Sequence, residues 1–341
     1  MLKIRNERKV NELVKMFYTG ERHSSVQAST DKVSYQTAAP SWTSNENSSY
    51  MSRLLTNGAS VLAVAGSFDH IIDMALYGAR NIYAVDVNPL QFPVDWLKYQ
   101  SVLNLTPGQF QKFVLSTKGN NMLSREIMES VLSKADSGPE KEFWESVYEE
   151  KDPLDIRLNY FLSERNYIMH HSERLIRFDY PDHSRFSKAR KALNESNIFV
   201  EEKDIFDVQL ADESMDLIHL SNLHNFYFPE EYADKIRNLS KFLKKDGCIV
   251  LYCIGMKPEW FEATKKGSER LPLYENDFNM VACSQNPMLM KGMQQQILLT
   301  MNLYQELLNE FDVEVIPVST GKGFAGYNTS TDIVLSASLK K

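Results

Sequence analysis

"VLAVAGSFDHIIDMALYGARNIYAVDVNP" spans residues 61 to 89 and decides how the rest of the chain is read. It runs from an apolar strand through a single-glycine turn into helical periodicity, then into a second apolar strand that ends in an acid. A strand feeding such a turn and a helix sets backbone N–H groups and a helix N-terminus beside any ligand at the strand's end. Asp86 follows Gly66 by 20 residues and closes the next strand. A carboxylate there can accept hydrogen bonds from two ribose hydroxyls. The unit predicts a nucleoside site, against the alternative of an ordinary strand–helix junction that ends in Asp.

Outward from this unit, short apolar runs alternate with helical periodicity, the pattern of a parallel sheet flanked by helices. Strands are predicted at 60–66, 81–87, 197–204, 214–222, 248–255, 313–319 and 330–339. Helices are predicted near 69–78, 90–104, 229–245 and 287–310, and Gly247 after "KFLKK" is read as a helix stop. The expected fold is α/β and Rossmann-like, with a helical insertion after the second strand. It has seven strands in the order 3-2-1-4-5-7-6, only the last antiparallel. Residues 1–55 are assigned to a helix and a polar, lid-like segment containing Tyr35, Trp42 and Tyr50. Residues 56–103 and 191–341 form the two halves of the Rossmann-like domain. Between them, 104–190 is a helical insertion expected over the strand ends that carry Gly66 and Asp86.

A net charge of −7 over 341 residues argues against broad nucleic-acid binding, which needs a positive surface to release counterions. No apolar run approaches bilayer length, and the charges scattered through "MLKIRNERKVNELVKMF" do not suit a secretory signal. Cys248, Cys253 and Cys283 show neither metal-ligand spacing nor a disulfide framework. The expectation is a cytoplasmic protein with no metal.

Dinucleotide binding is the obvious rival. Its fingerprint needs three glycines, whereas this turn reads Gly66-Ser67-Phe68-Asp69-His70, where Phe68 and Asp69 are expected to crowd and repel a pyrophosphate. A cofactor with ribose and no phosphate fits better, and S-adenosylmethionine is the commonest. Asp204 then ends the third strand, placed to accept from an adenine amino group with Ile205 or Phe206 against the ring. Ser221 and Asn222 end the fourth strand at the topological switch point. A turn role for Asp204 and a capping role for Asn222 are the structural alternatives.

"GSFDHIIDMALYGARNIYAVDVNPLQ" (66–91) resembles a segment of the family that includes the S-adenosylmethionine:diacylglycerol 3-amino-3-carboxypropyltransferases of betaine-lipid synthesis. Weaker likeness extends to "KEFWESVYE", "KDIFD" and "HLSN", so the resemblance touches residues 60–225. It implies that Gly66, Ser67 and Asp69 meet the methionine and ribose end of the cofactor, Asp86 the ribose and Asp204 the adenine. Asn88 belongs to the same cofactor segment. The chain departs from the family at Phe68, at His70 and at Trp42-Thr43-Ser44. The acceptor is left open as a small molecule or a lipid-like one.

Whichever carbon on the sulfonium faces the nucleophile in line is the one transferred. Class I methyltransferases often carry an acid on the first strand, where this chain has Ala63, with an acid after the glycine instead, at Asp69. That shift favours aminocarboxypropyl transfer, with methyl transfer as the alternative. A non-catalytic nucleoside-binding protein is a third reading, since fold does not fix function. His70, His224 and Tyr227 are candidate proton acceptors for an acceptor hydroxyl or amine, or else hydrogen-bonded structural residues. In "STGKGFAGYNTST" (319–331), Tyr327 and Asn328 are placed to reach a substrate, unless the segment is a plain hairpin. Residues 165–191 hold seven Lys/Arg against three Asp/Glu, either a contact for an anionic head group or membrane surface or a solvated helix face. Nothing in the sequence sets the oligomeric state.

Overall fold

The computed structural model describes residues 1–6, 8–19, 47–115, 124–150, 180–267, 287–319 and 331–340. Eight strands lie among them: β1 (Leu2–Arg5), β2 (Ala59–Val64), β3 (Ala79–Asp86), β4 (Asn197–Glu202), β5 (Met215–His219), β6 (Leu243–Cys253), β7 (Phe311–Ser319) and β8 (Thr331–Leu339). They form a sheet in the order β1-β4-β3-β2-β5-β6-β8-β7. Without β1 this is the expected seven-strand order, and β8 is antiparallel to both of its neighbours. The fold is the Rossmann-like α/β arrangement of class I methyltransferases with one added edge strand. The described residues form two compact units. One draws on Met1–Met51, Leu55–Ala59 and Ala63–Asp207, the other on Ser52–Leu54, Ser60–Leu62 and Val208–Lys341, and β2 contributes to both.

In the first unit β4 pairs in parallel with β3 on one side and β1 on the other. The added strand β1 alternates half-buried Leu2 and Ile4 with exposed Lys3 and Arg5. Helix α1 (Val10–Thr19) follows it, and the short α2 (Met51–Leu54) precedes β2. Tyr50 is buried, whereas Tyr35 and Trp42 lie outside the described residues. Helix α3 (Asp69–Leu76) connects β2 to β3, and α4 (Gln91–Asn104) follows β3.

Helix α4 is buried without a break from Gln91 to Tyr99, which an amphipathic surface helix never is. The insertion supplies the cover. Its described helices are α5 (Pro107–Phe110), α6 (Arg125–Lys134) and α7 (Pro139–Glu150), with α8 (His183–Glu195) leading into β4. Fully buried Trp144 of α7 donates its indole N–H to the Pro93 carbonyl of α4 at 2.8 Å. Phe17 of α1 meets Phe143 and Trp144 edge-on.

Of the basic run, 165–179 lies outside the described residues. In the remainder, the Arg190 guanidinium donates to the carbonyls of Val102 (2.8 Å) and Leu105. It satisfies carbonyls at the C-terminal end of α4, where a cation is favoured. Arg190 is thus engaged within the unit.

The second unit holds β5, β6, β8 and β7 with helices α9 (Pro229–Ser240), α10 (Pro258–Lys265) and α11 (Pro287–Glu310). Gly247 corrects the sequence reading, because α9 ends at Ser240 and Gly247 lies inside β6. A Cβ at 247 would sit 2.9 Å from the Met215 carbonyl oxygen, where the β5–β6 register shifts. Glycine is there for a close backbone approach at a bulge. Cys248 and Cys253 are buried and form no disulfide among the described residues, and Cys283 lies outside them. Among the described residues no helix is long and apolar enough to cross a membrane.

Candidate functional site

The turn after β2 belongs to the first unit and contains two left-handed residues, Gly66 (φ 50°) and Phe68 (φ 65°). A Cβ on Gly66 would approach the His70 ring to 3.1 Å, so space and backbone both require glycine. A left-handed phenylalanine costs on the order of 1 kcal/mol. It persists because the Phe68 ring is fully buried, edge-on to Tyr99 at a centroid distance of 6.5 Å.

That burial corrects the expectation that Phe68 crowds the mouth of the turn. Asp69 is turned inward as well. Its carboxylate accepts from the Ser67 hydroxyl, the Lys98 ammonium and the Tyr180 hydroxyl, each at 2.8 Å. Asp69 and Lys98 are both fully buried, and Lys98 also donates to the Ser67 carbonyl at 2.8 Å. Burial lowers the Lys98 pKa, and Asp69 opposes that shift. Asp69 is therefore the anchor of the turn rather than a carboxylate held out to a methionine group. It also leaves the pyrophosphate argument standing on different ground, because a carboxylate already occupies the first turn of α3.

One helical turn further along α3, Asp73 accepts from the Tyr180 backbone N–H at 2.8 Å and from the Ser48 hydroxyl. Sequence reasoning missed Lys98, Tyr180 and Asp73. The available signal was "FPVDWLKY", where Asp95 and Lys98 stand three residues apart in an otherwise apolar helical run.

Asp86 ends β3 beside this turn. Its Oδ2 accepts from Gly66 N–H at 3.0 Å and its Oδ1 from Asn88 N–H at 2.9 Å. Burial pushes its pKa up to about 6, against the pull of the backbone N–H groups of Asn88, Gly66 and Val87. Each carboxylate oxygen has a second lone pair beyond those bonds. Asn88 is buried, and its side-chain oxygen accepts from Leu90 N–H at 3.1 Å, which shapes the entry to α4.

The Lys203 N–H donates to the Asp86 carbonyl at 2.9 Å, which brings the end of β4 alongside. There the half-buried Asp204 accepts from Phe206 N–H at 3.1 Å and opens a short helical turn over Ile205–Asp207. Ile205 is buried. Gly66, Ser67, Asp86, Asn88, Asp204 and Ile205 are thus carried by three adjacent strand ends of one unit. His70 is 2% exposed, and its Nε2 is 2.7 Å from the Val64 carbonyl. A carbonyl only accepts, so Nε2 donates there and His70 helps to fasten the turn.

In the second unit Ser221 (φ 52°) and Asn222 follow β5, and Asn222 stands at the N-terminal end of a short helical turn over Leu223–Phe226 without a side-chain capping bond. The Ser221 carbonyl accepts from Tyr252 N–H at 2.9 Å. His224 is buried, and Tyr227 stacks on Tyr232 at 5.4 Å with the Lys235 ammonium 5.3 Å from its ring centroid. Tyr327 and Asn328 lie outside the described residues. Among the described residues no group of three or more His, Cys, Asp or Glu is arranged to hold a metal ion.

No protein-family model and no curated protein matches the chain. Among solved structures it is similar to a precorrin-6y methyltransferase of Geobacter metallireducens, at 12% identity over 85% of this chain and 86% of that one, with a TM-score of 0.32. Magnesium protoporphyrin IX methyltransferase of Synechocystis, with bound SAH, is similar at 11% identity over 96% and 93% of the two chains, with a TM-score of 0.34. Precorrin 8w decarboxylase of Methanobacterium thermoautotrophicum gives 10% identity over 83% of both chains and a TM-score of 0.31.

Proposed function

We propose that the chain is an S-adenosylmethionine-dependent transferase that moves the 3-amino-3-carboxypropyl group to a small-molecule or lipid-like nucleophile. The observation that carries the cofactor reading is the Asp86 carboxylate, buried at a strand end and oriented by the Gly66 and Asn88 N–H groups. It is a fixed acceptor pair for the two ribose hydroxyls. Asp204 and Ile205 then face the adenine, and the backbone of Gly66 and Ser67 faces the ribose and methionine end. The reading rests on the first unit alone.

Cofactor affinity should depend on pH through Asp86. Ribose hydroxyls donate to the ionised carboxylate, so binding lowers its pKa from the raised value of about 6. Affinity for S-adenosylhomocysteine should be level above neutrality and weaken by up to about tenfold per unit as pH falls below that value. Dissociation constants measured on both sides of neutrality check this, and a profile that stays flat into the acid range would remove Asp86 from the site.

Transfer to a nucleophile forms one bond to carbon, breaks one carbon–sulfur bond and leaves the electron pair on sulfur. Buried Ala63, with no acid on the first strand, supports aminocarboxypropyl transfer. The inward pairing of Asp69 favours the second reading, methyl transfer, because it removes the acid that set the methionine end apart. The two differ in by-product. Incubation with S-adenosylmethionine and cell extract should yield methylthioadenosine. S-adenosylhomocysteine would establish methyl transfer instead, and neither product would leave a nucleoside-binding protein.

A further inference from the structure

Beneath the turn lie three buried carboxylates: Asp69 and Asp95 act on the fully buried Lys98 ammonium, and Asp86 acts on Asp95. Asp69 is balanced by Lys98 at 2.8 Å. Asp86 accepts from backbone N–H groups on both oxygens. Asp95, fully buried on α4, accepts on Oδ1 from the Gln91 side-chain amide at 2.8 Å, while its Oδ2 has no hydrogen-bond partner among the described residues. Of the three it is the least equipped to hold a negative charge, and a buried carboxyl so placed keeps its proton. Burial pushes its pKa well above the usual range and the Gln91 amide opposes this, while the charges of Asp86 and Asp69 raise it and Lys98 lowers it. Among the described residues these are the charged groups that act on it, from the end of β3, the start of α3 and α4 itself. The Tyr180 hydroxyl lies beyond, on Asp69.

We propose that Asp95 exchanges a proton with the charge state of the cofactor, releasing it when the sulfonium form binds and regaining it when the cofactor has become a neutral thioether. This rests on the S-adenosylmethionine reading of the Asp86 site. A ribose held at Asp86 would bring the sulfonium, one carbon beyond the sugar ring, to the Gly66–Asp69 turn, where Ser67 and Asp69 bind Lys98, one helical turn from Asp95. A positive charge there favours ionised Asp95. In the reaction the acceptor's electron pair forms the new bond to carbon, the carbon–sulfur pair stays on sulfur, and the acceptor's proton leaves. The positive charge at sulfur is thereby lost, and Asp95 takes a proton from solvent. The spent cofactor then meets a neutral Asp95.

Calorimetric titrations of the full chain at about pH 7, in two buffers of different ionisation enthalpy, count the protons exchanged. S-adenosylmethionine should release more protons on binding than S-adenosylhomocysteine, and Asp95→Asn should erase the difference. Equal release by the wild type, or a difference that survives in Asp95→Asn, would overturn the proposal while the cofactor reading stands. Absence of binding by either ligand overturns the cofactor reading itself. A second measurement needs no variant. Asp86 meets the ribose of both ligands, so its titration cancels in the ratio of their affinities. That ratio should move towards S-adenosylmethionine as pH rises, because burial holds the Asp95 carboxyl well above its usual range. A ratio that stays constant contradicts the proposal.

Discussion

Lys98→Met should destabilise the protein by about 3–5 kcal/mol, the cost of removing one partner from a buried ion pair. The substitution keeps most of the side-chain volume and removes the ammonium. Asp69 would then be a fully buried carboxylate left with the Ser67 and Tyr180 hydroxyls. The Ser67 carbonyl would lose its donor as well. Adding Asp69→Asn should restore part of the loss, because no uncompensated charge remains inside. Denaturant midpoints of the single and double variants give the comparison. A loss below about 1 kcal/mol for Lys98→Met would show that the pair does not hold the turn, since that is the range of an exposed pair.

The strand order was legible because each core strand is a short apolar run bounded by turn residues. "CIVLYC" and "DIVLSASL" show this plainly, and α11 begins at a proline, Pro287. Asp86 was legible for a similar reason, since its distance from Gly66 is set by one helix and one strand. The edge strand β1 was not, because its alternation of Leu2 and Ile4 with Lys3 and Arg5 is too short to separate from the charged helix behind it. Gly247 misled because "KFLKKDG" carries helix-stop chemistry, whereas the close approach of the Met215 carbonyl is a tertiary fact.

The inward half of the site was hidden for the same reason. Which way Asp69 points depends on Lys98, 29 residues later, and on Tyr180, 111 residues later. Phe68 went unread because local sterics argue against a left-handed phenylalanine, and the packing of its ring against Tyr99 overrides them.

Asp86→Ala should weaken S-adenosylmethionine binding by about 1.5–3 kcal/mol through the loss of charged hydrogen bonds to the ribose. That corresponds to roughly a 10- to 150-fold rise in dissociation constant. The loss should not come from unfolding. A carboxyl whose folded pKa is raised costs stability as pH climbs from its unfolded value to the folded one, so above a pH of about 6 the ionised Asp86 is itself a cost to the fold. Calorimetric titration of the wild type and of Asp86→Ala with S-adenosylmethionine, and of the wild type with NAD, is the measurement to make. The expected result is binding of S-adenosylmethionine by the wild type, clear weakening in the variant, and no comparable binding of NAD. Equal affinity in wild type and variant, or tight NAD binding in place of S-adenosylmethionine, would contradict it.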